Sequence, residues 1–140
     1  MNFFFRDCYW WRGVGTGLGR LKRDLENAKY ELQGGYYEWA CFLSQQAAEK
    51  ALKAVYQKLG GEAFGHSVAG LLLNLPKKFK PKASLLDWAR ELDKAYIPTR
   101  YPNSLPEGAP FEAYTEGEAR RLIAHAEEIL KFCKDILSKI

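Results

Sequence analysis

At 140 residues the chain makes one domain, long enough to bury about two-thirds of the surface its unfolded form exposes, so neither a metal nor a disulfide staple is expected. A net charge of +4 permits an anionic partner without demanding one. Cys8, Cys41 and Cys133 are scattered and lack CxxC spacing, which points to reduced thiols and a cytoplasmic setting, and no apolar run approaches the ~20 residues that span a bilayer.

The aromatic opening MNFFFRDCYWWRG is interrupted by Arg6 and Asp7 and reads as neither a membrane span nor a signal peptide. GVGTGLG follows at residues 13–19. It looks like a dinucleotide-binding glycine run, but no strand precedes it and no βαβ unit surrounds it. Leu18, Leu21, Leu25, Ala28 and Leu32 then recur at steps of three and four, predicting an amphipathic helix that Gly34 and Gly35 end. A second helix is predicted from Tyr36 to Leu59, with Gly60 and Gly61 as its stop. A shorter one begins at His66 or Ser67 and finishes near Leu75, because Pro76 disfavours helical geometry in the residue before it.

The basic stretch KKFKPK reads as a solvated loop that could meet phosphate. Beyond it Ser84 with Asp87 resembles a capping pair, opening a helix in which Leu85, Ala89, Leu92 and Tyr96 share a face and which ends at Pro98. Pro98, Pro102, Pro106 and Pro110 exclude a regular helix between Ile97 and Thr115, leaving a long, stiff loop. Thr115 and Glu118 form a capping box for a last helix that keeps its apolar rhythm to Ile140. No segment shows sustained period-two alternation. The reading is all-α: an antiparallel up-and-down bundle of four to five helices.

Within the second helix, Gln46, Glu49, Lys50, Lys53 and Gln57 share one face, while Ala40, Leu43, Ala47, Ala51, Ala54 and Val55 form a packing arc. Periodicity alone makes the polar stripe a solvated surface, with Glu49 and Lys53 a pair worth about 0.3–0.5 kcal/mol. Gln45, at the edge of the arc, must find a partner for its amide.

Walker-type glycine loops, HExxH and paired Cys/His zinc spacing are absent from the sequence. A literal Arg-x4-His, Arg120 to His125, falls inside the predicted last helix, where five residues set the two side chains about 140° apart. Arg121 and His125 share a face, and chance occurrence on a solvated face is the plainer reading. His66 reads first as a capping or loop residue.

QQAAEKALKA, read with GHS at Gly65 to Ser67 and YIPTRYP at Tyr96 to Pro102, resembles the HEPN family, the higher-eukaryote and prokaryote nucleotide-binding domain. The pattern falls on Asp24 and Leu25, Tyr36 to Phe42, Gln46 to Lys53, His66, and Arg100 to Pro102, so it covers roughly residues 20 to 138. Residues 1–17 fit poorly and are expected to be an extension outside a bundle of residues 18–140. The resemblance implies a helical bundle, often a homodimer, working with a small nucleotidyltransferase in a toxin–antitoxin-like pair. It also implies a noncatalytic site for a nucleotide or RNA phosphate built from Arg100, Tyr101, Glu49, Lys50, Lys53 and His66, with no cofactor or metal. Some branches of the family are metal-independent ribonucleases with an Arg-x(4–6)-His motif; here no histidine follows Arg100 within that window. A ribonuclease toxin using His66 or His125, and a structural dimerisation module, stay open as alternatives.

Overall fold

The computed structural model describes residues 14–63, 65–96 and 110–140, which are largely helical and carry no strand. In chain order they form α1 (Val14–Gln33), α2 (Tyr37–Lys58), the short α3 (Val68–Leu73), a 3-10 turn (Lys77–Phe79), α4 (Ala83–Lys94), the one-turn α5 (Pro110–Ala113) and α6 (Glu116–Lys139). No helix among them is long and apolar enough to cross a membrane.

α2 is the axis of the bundle: α1 and α6 are its main neighbours, and α3 and α4 close its remaining flank. Its sequence explains that position. Ala47, Ala48 and Ala51 are fully buried, and their small side chains let flanking helices approach closely. Leu21, Leu52, Leu72, Leu92 and Ile129 are among the largest side chains withdrawn from water, each contributing about 1.5–3 kcal/mol through apolar burial. Cys41 and Cys133 are buried free thiols. Burial pushes Cys41 up to about 12 and Cys133 higher still, so both behave as small apolar groups.

The predicted helix ends are present where glycine marks the stop. Gly35 and Gly60 take the left-handed φ values of 84° and 78° that favour glycine, and the Tyr36 N–H donates back to the Glu31 carbonyl at 2.9 Å. Thr115 Oγ1 accepts from the Glu118 N–H at 3.1 Å, the main-chain half of a capping box.

Three boundaries differ from expectation. α1 begins at Val14, inside the glycine run, so helix precedes the apolar seam. α4 starts at Ala83 with Lys82 before it and no side-chain cap: Ser84 already lies inside the helix, and Asp87 is engaged by Arg90 at 3.1 Å. The expected Ser84–Asp87 capping pair is therefore not what opens α4. The same helix ends at Lys94, ahead of Pro98, and Ala95 and Tyr96 form a turn. α5 occupies the end of the proline-spaced stretch. Pro110 is its first residue, a position where the missing N–H has no helical partner to lose.

Candidate functional site

The polar stripe of α2 is largely withdrawn from water. Glu49 is 4% exposed, and Gln46, Lys50 and Lys53 are half-buried; only Gln57 of the stripe is open to solvent. The solvated-face reading is thus corrected, because α1 on one side and the segment leading into α3 on the other cover the stripe.

Glu49 is the hub. Its Oε1 lies 2.7 Å from His66 Nδ1 and 3.5 Å from Lys53 Nζ, and its Oε2 accepts from Gln46 Nε2 at 3.3 Å. Burial pushes the Glu49 carboxyl above its ordinary value, and the opposing pull of Lys53 and His66 does not fully offset it. With Glu49 ionised, Nδ1 must carry the hydrogen of that short contact, which fixes the imidazole orientation.

Several contacts hold the backbone around His66. Gln45, fully buried, donates from Nε2 to the His66 carbonyl at 2.9 Å and accepts at Oε1 from Gln46 at 2.8 Å, so its amide has the partner its position required. Ser67 is the N-cap of α3, accepting from the Gly70 N–H at 3.0 Å. Asp93 of α4 completes that cap from outside: its carboxylate accepts from Ser67 Oγ at 2.8 Å, the Val68 N–H at 2.7 Å and the Ala69 N–H at 3.1 Å. Tyr56 Oη donates to the Leu71 carbonyl at 2.6 Å, tying α2 to α3. His66 is therefore a loop residue, as expected, but one braced by both α2 and α4.

Aromatic rings extend the site along α2. The His66 and Tyr96 rings stack at 4.9 Å, Tyr96 and Phe42 stack at 6.2 Å, and Trp39 meets Phe42 edge-on at 6.1 Å. Helical spacing places Tyr96 on the packing face of its helix; the turn at Ala95 brings it to His66 instead. Asp93 carries no sequence signal, since its partners lie 24–26 residues away.

Of the six expected site residues, Glu49, Lys53 and His66 come together directly. Lys50 turns toward α1, its Nζ 3.1 Å from Asp24 Oδ2. Arg100 and Tyr101 lie outside the described residues.

A second imidazole–carboxylate pair sits between α4 and α6. Glu91 Oε2 accepts from Arg121 Nε at 2.9 Å and lies 3.1 Å from His125 Nε2, and the His125 ring stacks on Trp88 at 5.3 Å. Arg121 and His125 share a face as expected, but only Arg121 is solvated there: His125 is 8% exposed because α4 covers it. Arg120 points elsewhere and binds Glu116 at 2.7 Å. The literal Arg-x4-His is thus divided between two separate ion-pair clusters. No group of three or more His, Cys, Asp or Glu able to hold a metal ion occurs among the described residues.

Comparison with known proteins matches residues 18–136 to the sequence model of the HEPN domain family. The chain is 31% identical over 131 residues to a Methanocaldococcus jannaschii protein named "Putative toxin MJ1304", covering 87% of this chain and 86% of that one. Among crystal structures it is similar to TT1696 from Thermus thermophilus, at TM-score 0.82 and 41% identity, covering 86% of this chain and 94% of that one. It is likewise similar to an HEPN domain protein from Thermotoga maritima, at TM-score 0.72 and 48% identity, with 89% and 98% covered. ST0689, described as an archaeal HEPN homologue, superimposes at TM-score 0.74 with 48% identity over 87% of this chain and 95% of that one.

Proposed function

The chain belongs to the HEPN domain family, and from that premise we propose that it is a noncatalytic nucleotide- or RNA-phosphate-binding subunit of a toxin–antitoxin-like pair, working with a separate small nucleotidyltransferase. The toxin name of the M. jannaschii relative supports the pairing. The observation that carries the binding role is the Glu49 hub: a buried carboxylate that orients His66, itself 42% exposed, with Lys53 on the same oxygen. Such a site offers ring surface and hydrogen-bonding groups at the edge of a rigid polar network. Arg100 and Tyr101 are proposed to complete it, the guanidinium gripping phosphate as a fork and the phenol ring stacking on a base. Lys50, held by Asp24, is proposed to supply charge at its margin.

One observation favours a second reading. The 2.7 Å contact of His66 with Glu49 is the arrangement that orients an imidazole as a general base, so a metal-independent ribonuclease using His66 stands as the alternative. Against it stands the lack of a histidine within the Arg-x(4–6)-His window after Arg100, and the division of Arg120 and His125 between separate clusters counts against the form using His125. Isothermal calorimetry with mononucleotides and short RNAs, with and without the nucleotidyltransferase, tests the binding role: absence of binding in every combination at physiological salt overturns it. RNA incubation with wild type and Arg100→Ala tests the chemistry. Metal-independent cleavage that disappears in the variant would establish the ribonuclease instead.

A further inference from the structure

The connection between α3 and α4 carries Lys77, Lys78, Lys80 and Lys82, all four exposed. None of them belongs to an ion pair among the described residues. This is a concentration of uncompensated charge in a chain whose net charge is only +4. Nor is the segment a loose tether. Lys77–Phe79 form a 3-10 turn closed by the Phe79 N–H donating to the Pro76 carbonyl at 2.9 Å. Phe79 packs against the core with Lys78 Nζ 5.0 Å from its ring centroid, and Pro76 and Pro81 restrict the backbone. The first turn of α4, which follows at once, contains no acidic residue, and Asp87 beyond it is held by Arg90.

Charge presented on a pre-ordered backbone loses little freedom on binding. Its composition selects the partner class. Protein interfaces are depleted in lysine and depend on apolar or aromatic anchors, whereas the aromatic of this segment faces inward. Binding to a phosphate backbone needs only cations, and gains from the release of condensed counterions.

Position supplies the rest. Asp93, near the far end of α4, contacts Ser67 beside His66, so the Lys82 end of the lysine segment lies roughly 16 Å from the Glu49–His66 site along the axis of α4. A mononucleotide cannot touch both ends; a strand can.

We propose that Lys77, Lys78, Lys80 and Lys82 form a second anchoring point for the phosphate backbone of a single-stranded nucleic acid whose end or looped-out nucleotide occupies the Glu49–His66 site. This rests on the binding role proposed above and makes the ligand a strand rather than a free nucleotide.

The test is fluorescence anisotropy with labelled oligo(U) of about ten nucleotides, a length within the ~4–16 typical of single-strand sites. It compares the wild type, a variant with all four lysines changed to Ala, and one with all four changed to Arg, over a range of salt concentrations. Circular dichroism melts verify that the variants are folded. At about 0.7 per phosphate contact, the slope of log affinity against log salt is expected to fall by up to about 3 in the Ala variant. The Arg variant restores it, and mononucleotide binding by calorimetry is the same in all three. An unchanged slope and affinity in the Ala variant overturns the anchoring point and leaves the nucleotide site standing. So does oligo(U) binding no tighter than a mononucleotide. An Ala effect confined to capture of the nucleotidyltransferase overturns it in favour of a protein contact, and wild type that binds neither ligand overturns both proposals.

Discussion

His66 with Glu49 and His125 with Glu91 are the same chemical pair at similar distances, 2.7 and 3.1 Å, and each imidazole stacks on an aromatic ring, Tyr96 and Trp88 respectively. Their burial is inverted. At Glu49 the carboxylate is buried and the imidazole side chain is 42% exposed; at Glu91 the imidazole is 10% exposed and the carboxylate 39%. The carboxyl groups respond in opposite senses: burial pushes Glu49 up, while the Arg121 hydrogen bond holds Glu91 below its ordinary value. The pair alone therefore does not define a site. Which partner reaches solvent decides whether it can meet a ligand or only join two helices.

The sharpest way to break this contrast is to remove each imidazole and measure ligand binding. His66→Ala is expected to lose about 1.5–3 kcal/mol, roughly 10- to 150-fold in Kd, as for a hydrogen bond involving a charged group. His125→Ala is expected to leave Kd within about twofold, because that ring faces Trp88 and Glu91. Calorimetry with the tightest-binding mononucleotide distinguishes them, and equal losses would abolish the distinction.

Stability should rank the two variants in the opposite order. His125→Ala removes a buried, stacked ring from the α4–α6 junction and is expected to destabilise by about 1–3 kcal/mol in urea denaturation. His66→Ala, removing a more exposed ring, should stay nearer ~1 kcal/mol.

The smallest effects concern pH, and their signs differ. Because the folded-state value of Glu49 is raised, its contribution to stability is fully present below the ordinary value of 4.5 and is lost as pH rises through the raised one. The stability of Glu49→Gln relative to wild type should therefore improve as pH rises from about 4 toward 7. Glu91 is lowered, so its contribution is present above 4.5 and is lost as pH falls through the lower folded value. Relative to wild type, Glu91→Gln should improve as pH falls below 4.5, weakly, since solvent and salt screen this exposed group. Denaturation curves across this range, read as differences from wild type, check both signs; parallel trends would refute the inverted-burial account.

Much of this contrast is beyond the reach of periodicity. The stripe of α2 is legible as a polar face, and Gln45 as an amide requiring a partner, because helical spacing sets direction. Whether that face is wet depends on the residues that cover it: Asp24 lies 26 positions before Lys50, and His66 lies 17 after Glu49. Ser84 fails as a cap for a local reason, since the chain is already helical at Ala83. The burial of His125 escapes its own helix's pattern because its shielding by Trp88 and Glu91 comes from another helix.

By itself, the amino-acid sequence determined the all-helical class, the stops at Gly34–Gly35 and Gly60–Gly61, the Thr115 cap and the HEPN pattern, because backbone geometry and apolar rhythm act over a few neighbouring residues. Only the tertiary structure decided that Glu49 is the buried hub, that Asp93 and Tyr96 brace and stack the His66 segment, and that His125 is a clamp. Desolvation and ion pairing are properties of whatever packs alongside, and in this bundle the neighbours come from other helices.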